Sequence, residues 1–387
     1  MSTKMGGMYT FSIRLGSIIL CRDFGFLVTA TLLFALSPIW VGAAPYYDGS
    51  ASSDEREYVY EYLDQIELKE AEAFGKIQGD HAVYVAKRMG YIDRDVMDAA
   101  SFCSHILAAQ RVRERFYKEK PLSDGQFKRY LLPLRIKHEY TRRNWLPALQ
   151  NKFSPLTESA KTADEAAEII FTWVKENLAL KSQREFYQMT TGGDLDVFSV
   201  LEEREVHEIS LSIFTVAALR SAGVAARIVW APMLRGERGG KLWLEYWSES
   251  EEWVPWMPSI AKKIQEKEDL VKCLQGKVGL ILVHQDDPKN VTERYFPVCE
   301  LSFEIEDKDI RSQIFLLGNQ GLIAIEGHAS NGLGRGKVMK VARGGDFYLA
   351  LAKHDVAYFL TKVNLKPEEK RLVVLLEDGK PRVLRGN

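Results

Sequence analysis

The clearest pattern in the chain is a change from helical to strand spacing of apolar residues between 208 and 256. Over 208–222 apolar side chains recur every three or four residues, and Gly223 follows where helices commonly end in a left-handed residue. This spacing predicts a helix over 208–222. Three short runs rich in Val, Leu and Trp then predict strands at 224–232, 241–247 and 253–256. The Gly-rich turn 235–240 predicts a hairpin connection between two of them.

The region before this segment has mostly helical spacing. Aromatic and apolar residues recur at helical intervals through much of 57–150, and 99–117 is a long candidate helix. Thr162, with Glu165 three residues later, predicts a capping box at the start of a further helix. The chain upstream of the core is therefore expected to be helical.

The region after residue 259 changes to strand spacing. A charged helix is predicted at about 260–275. Beyond it, Gly-rich turns separate short β-type runs, which is typical of a β-sandwich. These runs are 278–283, 299–305, 313–317, 322–326, 338–341, 347–351 and 372–376.

The N-terminal segment has the pattern of a secretory signal peptide. Residues 24–41 carry almost no charge, follow Arg14 and Arg22, and end in small residues that favour cleavage after Ala43 or Ala44. The alternative is an uncleaved membrane anchor, although the run is slightly short for a spanning helix, which needs about 20 residues. We therefore expect an exported protein, whether periplasmic, bound to the cell envelope or secreted, with the anchored form as the alternative.

Composition narrows the possible function classes. The 387 residues carry a formal net charge of −1, which gives no indication of nucleic-acid binding. Cys21 lies in the signal segment; a bridge between Cys273 and Cys299 is one possibility, and buried free thiols, Cys103 included, are the other. The histidines lack metal-ligand spacing, and the Gly-rich run 332–337 lacks the Ser or Thr of a phosphate loop. No metal and no cofactor is predicted.

Four motifs in the middle of the chain resemble the transglutaminase-like superfamily, a circularly rearranged relative of the papain fold. Trp173–Asn177 resembles a helix ending of that family, and 219–227 resembles its LRALGIPAR run, which leads from the nucleophile's helix into the first core strand. Lys241–Glu245 is similar to HAWVE, and Glu252–Ser259 is similar to GWVPFDPT. The resemblance covers roughly 150–260 and implies an α+β, papain-like core.

The resemblance also places the family's three catalytic positions on residues that cannot perform its chemistry. In active members a Cys at the start of the helix is the nucleophile, a His activates it, and an Asp orients the His. Here those positions hold Glu208, Lys241 and Met257, and no Cys lies between 104 and 272. A carboxylate cannot form the thioester that the reaction needs. The resemblance therefore implies a degenerate member that lacks the catalytic triad.

Each of these positions also has a simpler explanation. The helix dipole favours a carboxylate in a first turn by about 0.3–1 kcal/mol, which accounts for Glu208 without a function. Lys241 is expected to pair with Glu208 if the family geometry holds, and Met257 would fill its site with an apolar side chain. His207 is a candidate for the cleft, but a solvated surface position is the expected one.

Four tryptophans lie on the predicted core strands. Trp243 and Trp253 are expected to pack in the core, whereas Trp247 and Trp256 alternate differently and are candidates to line a groove for peptides or sugars. The residues considered for the vestigial cleft are His207, Trp243, Trp247 and Trp256.

The sequence predicts four segments. They are a signal peptide or anchor at 1–44, a helical region at 45–150, a transglutaminase-like core at 151–262 and a β-sandwich accessory domain at 263–387. Within the helical region, 127–135 resembles a segment that precedes the core in exported bacterial members, and we expect it to pack against that core.

The function expected is that of an exported non-catalytic protein that binds a peptide, a glycan or a partner protein in the vestigial cleft. The alternative is a cysteine-dependent amide hydrolase or cross-linking enzyme whose nucleophile, such as Cys103 or Cys273, folds back into the cleft. Membrane contact is expected only through an uncleaved N-terminal segment.

Overall fold

A computed structural model describes most of the chain from residue 79 onward. The described residues are 79–89, 93, 97–137, 139, 144–181, 196–231, 241–257, 262–263, 281–284, 289–304, 310–318, 321–324, 338–343, 346–353, 356–377 and 380–386. The predicted signal or anchor at 1–44, the turn 235–240, the run 332–337 and Cys273 lie outside them. Among the described helices, none has both the length and the apolar character that a membrane crossing requires.

Helices dominate the first half of the described chain. They are α1 (Gly79–Ala86), α2 (Ala99–Val112), α3 (Asp124–Tyr130), α4 (Trp145–Leu156), α5 (Ala163–Asn177), α6 (Val197–Glu203) and α7 (Glu208–Ala222), and a single-turn α8 (Thr292–Tyr295) follows later. The prediction of a helical region upstream of the core is confirmed where it is described. The candidate helix 99–117 is α2, which ends earlier, at Val112.

The predicted capping box at the start of α5 is half present. The Thr162 hydroxyl accepts a hydrogen bond from the Glu165 backbone N–H at 3.2 Å, as predicted. The Glu165 carboxylate, however, accepts from the N–H of Lys161 at 2.7 Å instead of from that of the capping residue. The helix start is still satisfied, because the two side chains together engage two backbone donors that the helix leaves unpaired.

Helix α7 is the centre of the molecule's core. Every residue from Ser210 to Ala222 is buried, which is the pattern of a helix covered on all sides. Helices α4, α5 and α6 pack against it, together with the strands that follow it. The predicted segment 127–135 packs into the same core: Phe127, Leu131 and Leu132 are completely buried there. The predicted helix 208–222 and the packing of 127–135 are both confirmed.

Gly223 ends α7 in the left-handed conformation that the sequence predicts, with φ of 95°. Its N–H donates to the carbonyl of Arg220 at 3.1 Å, and the N–H of Val224 reaches back to Leu219 at 2.9 Å. The chain then turns directly into the first core strand, where the Arg220 guanidinium bonds the carbonyl of Ala226 at 2.9 Å. This turn fixes how the helix meets the sheet.

One antiparallel sheet of six strands packs beside α7, in the order β6-β5-β4-β3-β7-β8. Its strands are β3 (Ala226–Ala231), β4 (Lys241–Trp247), β5 (Trp253–Met257), β6 (Lys262–Lys263), β7 (Leu282–His284) and β8 (Lys289–Asn290). A separate parallel pair, β1 (Ala179–Leu180) with β2 (Glu205–Val206), leads into α7. The predicted strands 224–232, 241–247 and 253–256 are confirmed as β3, β4 and β5.

Two expectations about the end of the core differ from the structure. The charged helix predicted from 260 is wrong at its start, because Lys262 and Lys263 pair with β5 as a strand. The run at 278–283, expected in the accessory domain, contributes β7 to the core sheet beside β3. The core sheet thus continues past residue 262, where the predicted boundary lies.

The C-terminal part contains two further sheets of four strands each, ordered β11-β10-β13-β14 and β12-β9-β15-β16. The strands are β9 (Val298–Glu304), β10 (Ile310–Gly318), β11 (Gly321–Ala324), β12 (Val338–Ala342), β13 (Asp346–Lys353), β14 (Val356–Asn364), β15 (Arg371–Glu377) and β16 (Lys380–Gly386). Strands β14 and β16 were not predicted. Most pairs are antiparallel, whereas β9 and β15 run parallel.

Gly223→Ala is expected to destabilise the protein by about 1–3 kcal/mol, because an L side chain is strained at positive φ. A Cβ at this position would also lie 2.8 Å from the carbonyl oxygen of Val112. Urea denaturation followed by circular dichroism measures the change. Gly125→Ala in α3 is the control: its Cβ meets nothing within 4 Å, so a neutral or slightly stabilising effect is expected. Equal effects of the two changes would contradict this account of Gly223.

Candidate functional site

The candidate site lies at the N-terminus of α7. His207 caps this helix: its Nδ1 accepts a hydrogen bond from the backbone N–H of Ile209 at 3.2 Å. The expectation of a solvated surface histidine is wrong, because His207 is only 6% exposed. Capping explains the burial, since a capping side chain folds over the first turn to satisfy a backbone donor.

Glu208 is the first residue of α7 and is partly buried. Its Oε1 atom is buried and has no hydrogen-bond partner among the described residues. Its backbone carbonyl accepts a hydrogen bond from the Ser212 hydroxyl at 2.8 Å. The helix dipole favours this carboxylate. One of its oxygens, however, is shielded from solvent and accepts no hydrogen bond from the described residues.

Lys241 and Met257 lie at the ends of neighbouring strands. Lys241 begins β4 opposite Ala231, and Met257 ends β5 with an exposed fraction of 1%. Met257 belongs to an outer apolar cluster, distinct from the core around α7; its members are Val229, Ala231, Trp243, Met257, Ile281, Tyr295, Phe296 and Ala342. Strand alternation places Lys241 on the Trp243 face of β4, whereas Leu242 and Leu244 pack in the α7 core.

The pairing of Glu208 with Lys241 is not seen. Within the part of the chain that the structure describes, the two side chains form no ion pair, and Oε1 of Glu208 is unpaired. The face of β4 explains this, because Lys241 alternates away from the residues that pack on α7. The three catalytic positions of the family therefore lie at the starts of α7 and β4 and at the end of β5, without a bond joining the first two.

The tryptophans are mainly core residues. Trp243 is fully buried, and its Nε1–H donates to the Tyr295 hydroxyl at 3.3 Å. Trp256 is 2% exposed and stacks on Phe171 with ring centroids 4.5 Å apart, so its burial does not fit the expectation of a groove residue. Trp247 is partly exposed and meets Trp253 edge-on at 5.2 Å. Of the cleft candidates, Trp247 alone keeps an accessible ring.

Sequence reasoning missed a buried ion network in the core sheet. Glu245 is completely buried and accepts hydrogen bonds from Arg227 at 2.7 Å and from Arg294 at 3.0 Å. The Tyr130 hydroxyl accepts a further bond from Arg227 at 3.2 Å, and the Trp253 ring lies 3.8 Å from that guanidinium. Arg227 and Glu245 end two of the family-like motifs and face each other across the hairpin, which was the available signal.

Neither described thiol has the surroundings of an activated nucleophile. Cys103 and Cys299 are free thiols with 2% and 0% exposure. Burial raises the pKa of the Cys299 thiol to about 11, opposite to the shift that a nucleophilic thiolate requires. The bridge between Cys273 and Cys299 is not present, since Cys299 is free. In the described part of the chain, no group of His, Cys, Asp or Glu has the arrangement of a metal site.

Comparison with known proteins agrees with the motifs. The family model for the transglutaminase-like superfamily matches residues 150–258, so this segment is similar to a transglutaminase-like domain. Among solved structures, a proposed cysteine protease from Cytophaga hutchinsonii is 16% identical, with a TM-score of 0.29, over 38% of this chain and 46% of that one. A proposed protease from Parabacteroides distasonis is 11% identical, with a TM-score of 0.27, over 47% and 40%. The chain thus spans under half of each structure, and no curated protein matches it.

Glu245→Gln is expected to lower the free energy of unfolding by about 3–5 kcal/mol, because it leaves the cation of Arg227 buried without a counter-charge. Chemical denaturation of the purified protein measures the loss. Glu293→Gln is the matched control, since Glu293 is 63% exposed in its pair with Lys340, and there the same change should cost less than about 1 kcal/mol. A loss of the control's size at Glu245 would show that the network contributes little.

Proposed function

We propose that the transglutaminase-like domain of this chain is non-catalytic, and that the protein binds a peptide, a glycan or a partner protein in the vestigial cleft at the N-terminus of α7. The observation that carries the proposal is Glu208, a carboxylate at the start of the buried helix where the family resemblance expects the nucleophilic thiol. The two described thiols lie in other elements and are buried.

The loss of chemistry follows from the three residue types. A thiol at a helix N-terminus becomes a thiolate near neutral pH, whereas a carboxylate there is a weak nucleophile toward amides. Lys241 carries an ammonium in place of the imidazole that shuttles protons near pH 7, and Met257 has no charge with which to orient a base. Restoring the nucleophile, the base and the orienting acid would require substitutions at all three positions.

Binding is the activity that the remaining geometry supports. The buried, unpaired Oε1 of Glu208 is an acceptor for a ligand's N–H or O–H, groups that both peptides and glycans carry. Trp247 does not belong to this site, because its N–H donates to the Ala225 carbonyl at 2.8 Å, just past the opposite end of α7. A ligand donor that pairs with such a desolvated acceptor contributes favourably to the free energy of binding.

The competing function is a cysteine-dependent amide hydrolase or cross-linking enzyme with an unrecognised nucleophile. The burial of Cys103, and the burial and raised thiol pKa of Cys299, weigh against those two thiols. Cys273 lies outside the described residues and is the thiol that an experiment must exclude.

Glu208→Cys is expected to create a reactive thiol in a protein that otherwise lacks one at this site. The α7 dipole should lower its pKa below the usual 8.5 or so of cysteine, which speeds alkylation at neutral pH. Rates of iodoacetamide labelling from pH 5 to 9, assigned to peptides by mass spectrometry, measure this. Glu202→Cys, an exposed position in the last turn of α6, is the control and should titrate without the downward shift.

Two results of this experiment would refute parts of the proposal. Equal pH profiles for the two variants would mean that residue 208 is not at an activating helix terminus. Fast labelling of Cys273 in the wild-type protein at neutral pH would favour the enzyme, and amide substrates should then be assayed.

Export is the second part of the proposed function and has its own test. Full-length protein expressed in a Gram-negative host should be recovered from the periplasm with a mature N-terminus at residue 44 or 45, following the two small-residue patterns. Intact-mass spectrometry gives the N-terminus directly. An intact N-terminus in the membrane fraction would support the anchored form, and uncleaved protein in the cytoplasm would refute export.

A further inference from the structure

A small surface pocket lies beside the candidate site and uses none of its residues. Its volume is about 160 Å³, and it is formed by α4, by the end of α5 and by the end of α6. The lining residues are Lys152, Trp173, Asn177, Leu178, Leu201 and Arg204. Two of them are cationic and none is acidic, which gives the pocket a positive potential.

Among the described residues, no acid forms an ion pair with either cation of the pocket. Arg204 forms no ion pair or side-chain hydrogen bond with any described residue, and Lys152 has only the Trp173 ring, 4.6 Å from its ammonium. Glu205 follows Arg204 but pairs with Lys181 at 2.7 Å. The acids in the last turns of α5 and α6 are exposed and do not line the pocket; they are Glu176, Glu202 and Glu203.

The Trp173 wall of the pocket is held in place before any ligand arrives. The Trp173 ring meets Phe153 edge-on at 5.1 Å and Phe214 at 5.9 Å, so it cannot turn freely. The Asn177 side-chain amide donates to the Trp173 carbonyl at 2.8 Å. A rigid wall reduces the entropy lost on binding.

The left-handed backbone conformation of Arg204 also favours a functional role for its side chain. Arg204 ends α6 in the left-handed region with φ of 59°, where glycine is the usual residue. Its N–H donates to Val200 at 3.1 Å and its carbonyl accepts from Ala179 at 2.7 Å, so this conformation is fixed from both sides. A side chain there carries backbone strain that glycine would avoid.

We propose that this pocket binds an oxyanion, either a carboxylate or a phosphate group, between the guanidinium of Arg204 and the ammonium of Lys152. Both cations donate charge-assisted hydrogen bonds, and arginine matches the paired oxygens of such groups. At about 30 Å³ for each water, the volume suits one anionic group and a few attached atoms, so the ligand inserts a terminal group. The site does not depend on the function proposed for the cleft at α7.

The test is a titration of full-length protein labelled with 5-fluorotryptophan, followed by ¹⁹F NMR, with the Trp173 signal assigned from Trp173→Phe. Inorganic phosphate and N-acetylglycine are the two anionic probes, N-acetylglycinamide is the uncharged one, and chloride keeps the ionic strength constant. We expect a saturable shift of the Trp173 signal with Kd in the millimolar range for at least one anion and no shift with the amide. The preferred anion tells a phosphate ligand from a carboxylate ligand.

Arg204→Gly separates binding from folding. It removes the cation and relieves the left-handed backbone, so affinity should fall at least about tenfold, whereas Tm should stay the same or rise. Lys175→Gln, an exposed change in the last turn of α5 outside the pocket, should leave binding unchanged. The proposal is overturned if neither anion gives a saturable shift, if the amide matches the anions, or if Arg204→Gly binds as well as the wild type.

Discussion

A single buried carboxylate organises the core sheet. Glu245 lies with no exposed surface between two guanidinium groups, one from β3 and one from α8, and the first of these also bonds a tyrosine from α3. A charge in such a place is tolerated only when its partners are all present, because removing it from water costs several kcal/mol. The helical region, the hairpin and the start of the C-terminal part must therefore meet in one arrangement.

The packing of the same core is independent of the chemistry at the start of α7. The buried face of α7, its left-handed end at Gly223 and the hairpin behind it are all packing features. None of them depends on a thiol at position 208. Selection for stability can therefore maintain these features whatever residues stand at the helix start, where a carboxylate and a capping histidine are both favourable.

The parts of the fold that sequence predicts well are those set by local rules. The bounds of α7 and β4 follow from the spacing of apolar residues and, for α7, from Gly223. In both regions local propensity and hydrophobic spacing predict the same element. Strands β6, β14 and β16 were missed although each pairs with the strand just before it in the chain. The burial of Trp256 depends instead on Phe171, a partner distant in sequence. The ion network is hidden for the same reason: only the register of the hairpin shows that Arg227 and Glu245 face each other.

The packing of Met257 bears on the evolutionary history of the domain. This side chain is enclosed by apolar neighbours such as Trp243 and Phe296, and the Tyr295 hydroxyl nearby already accepts the Trp243 indole N–H. An aspartate arising there alone would lose its hydration without gaining a full set of partners. Under the proposed function, a return to catalysis by single tolerated steps is not expected, because an orienting acid at this position is harmful while its histidine is missing. The proposed loss of the triad would in that sense be hard to reverse, and descendants of such a protein would more readily acquire new ligands than recover the family's reaction.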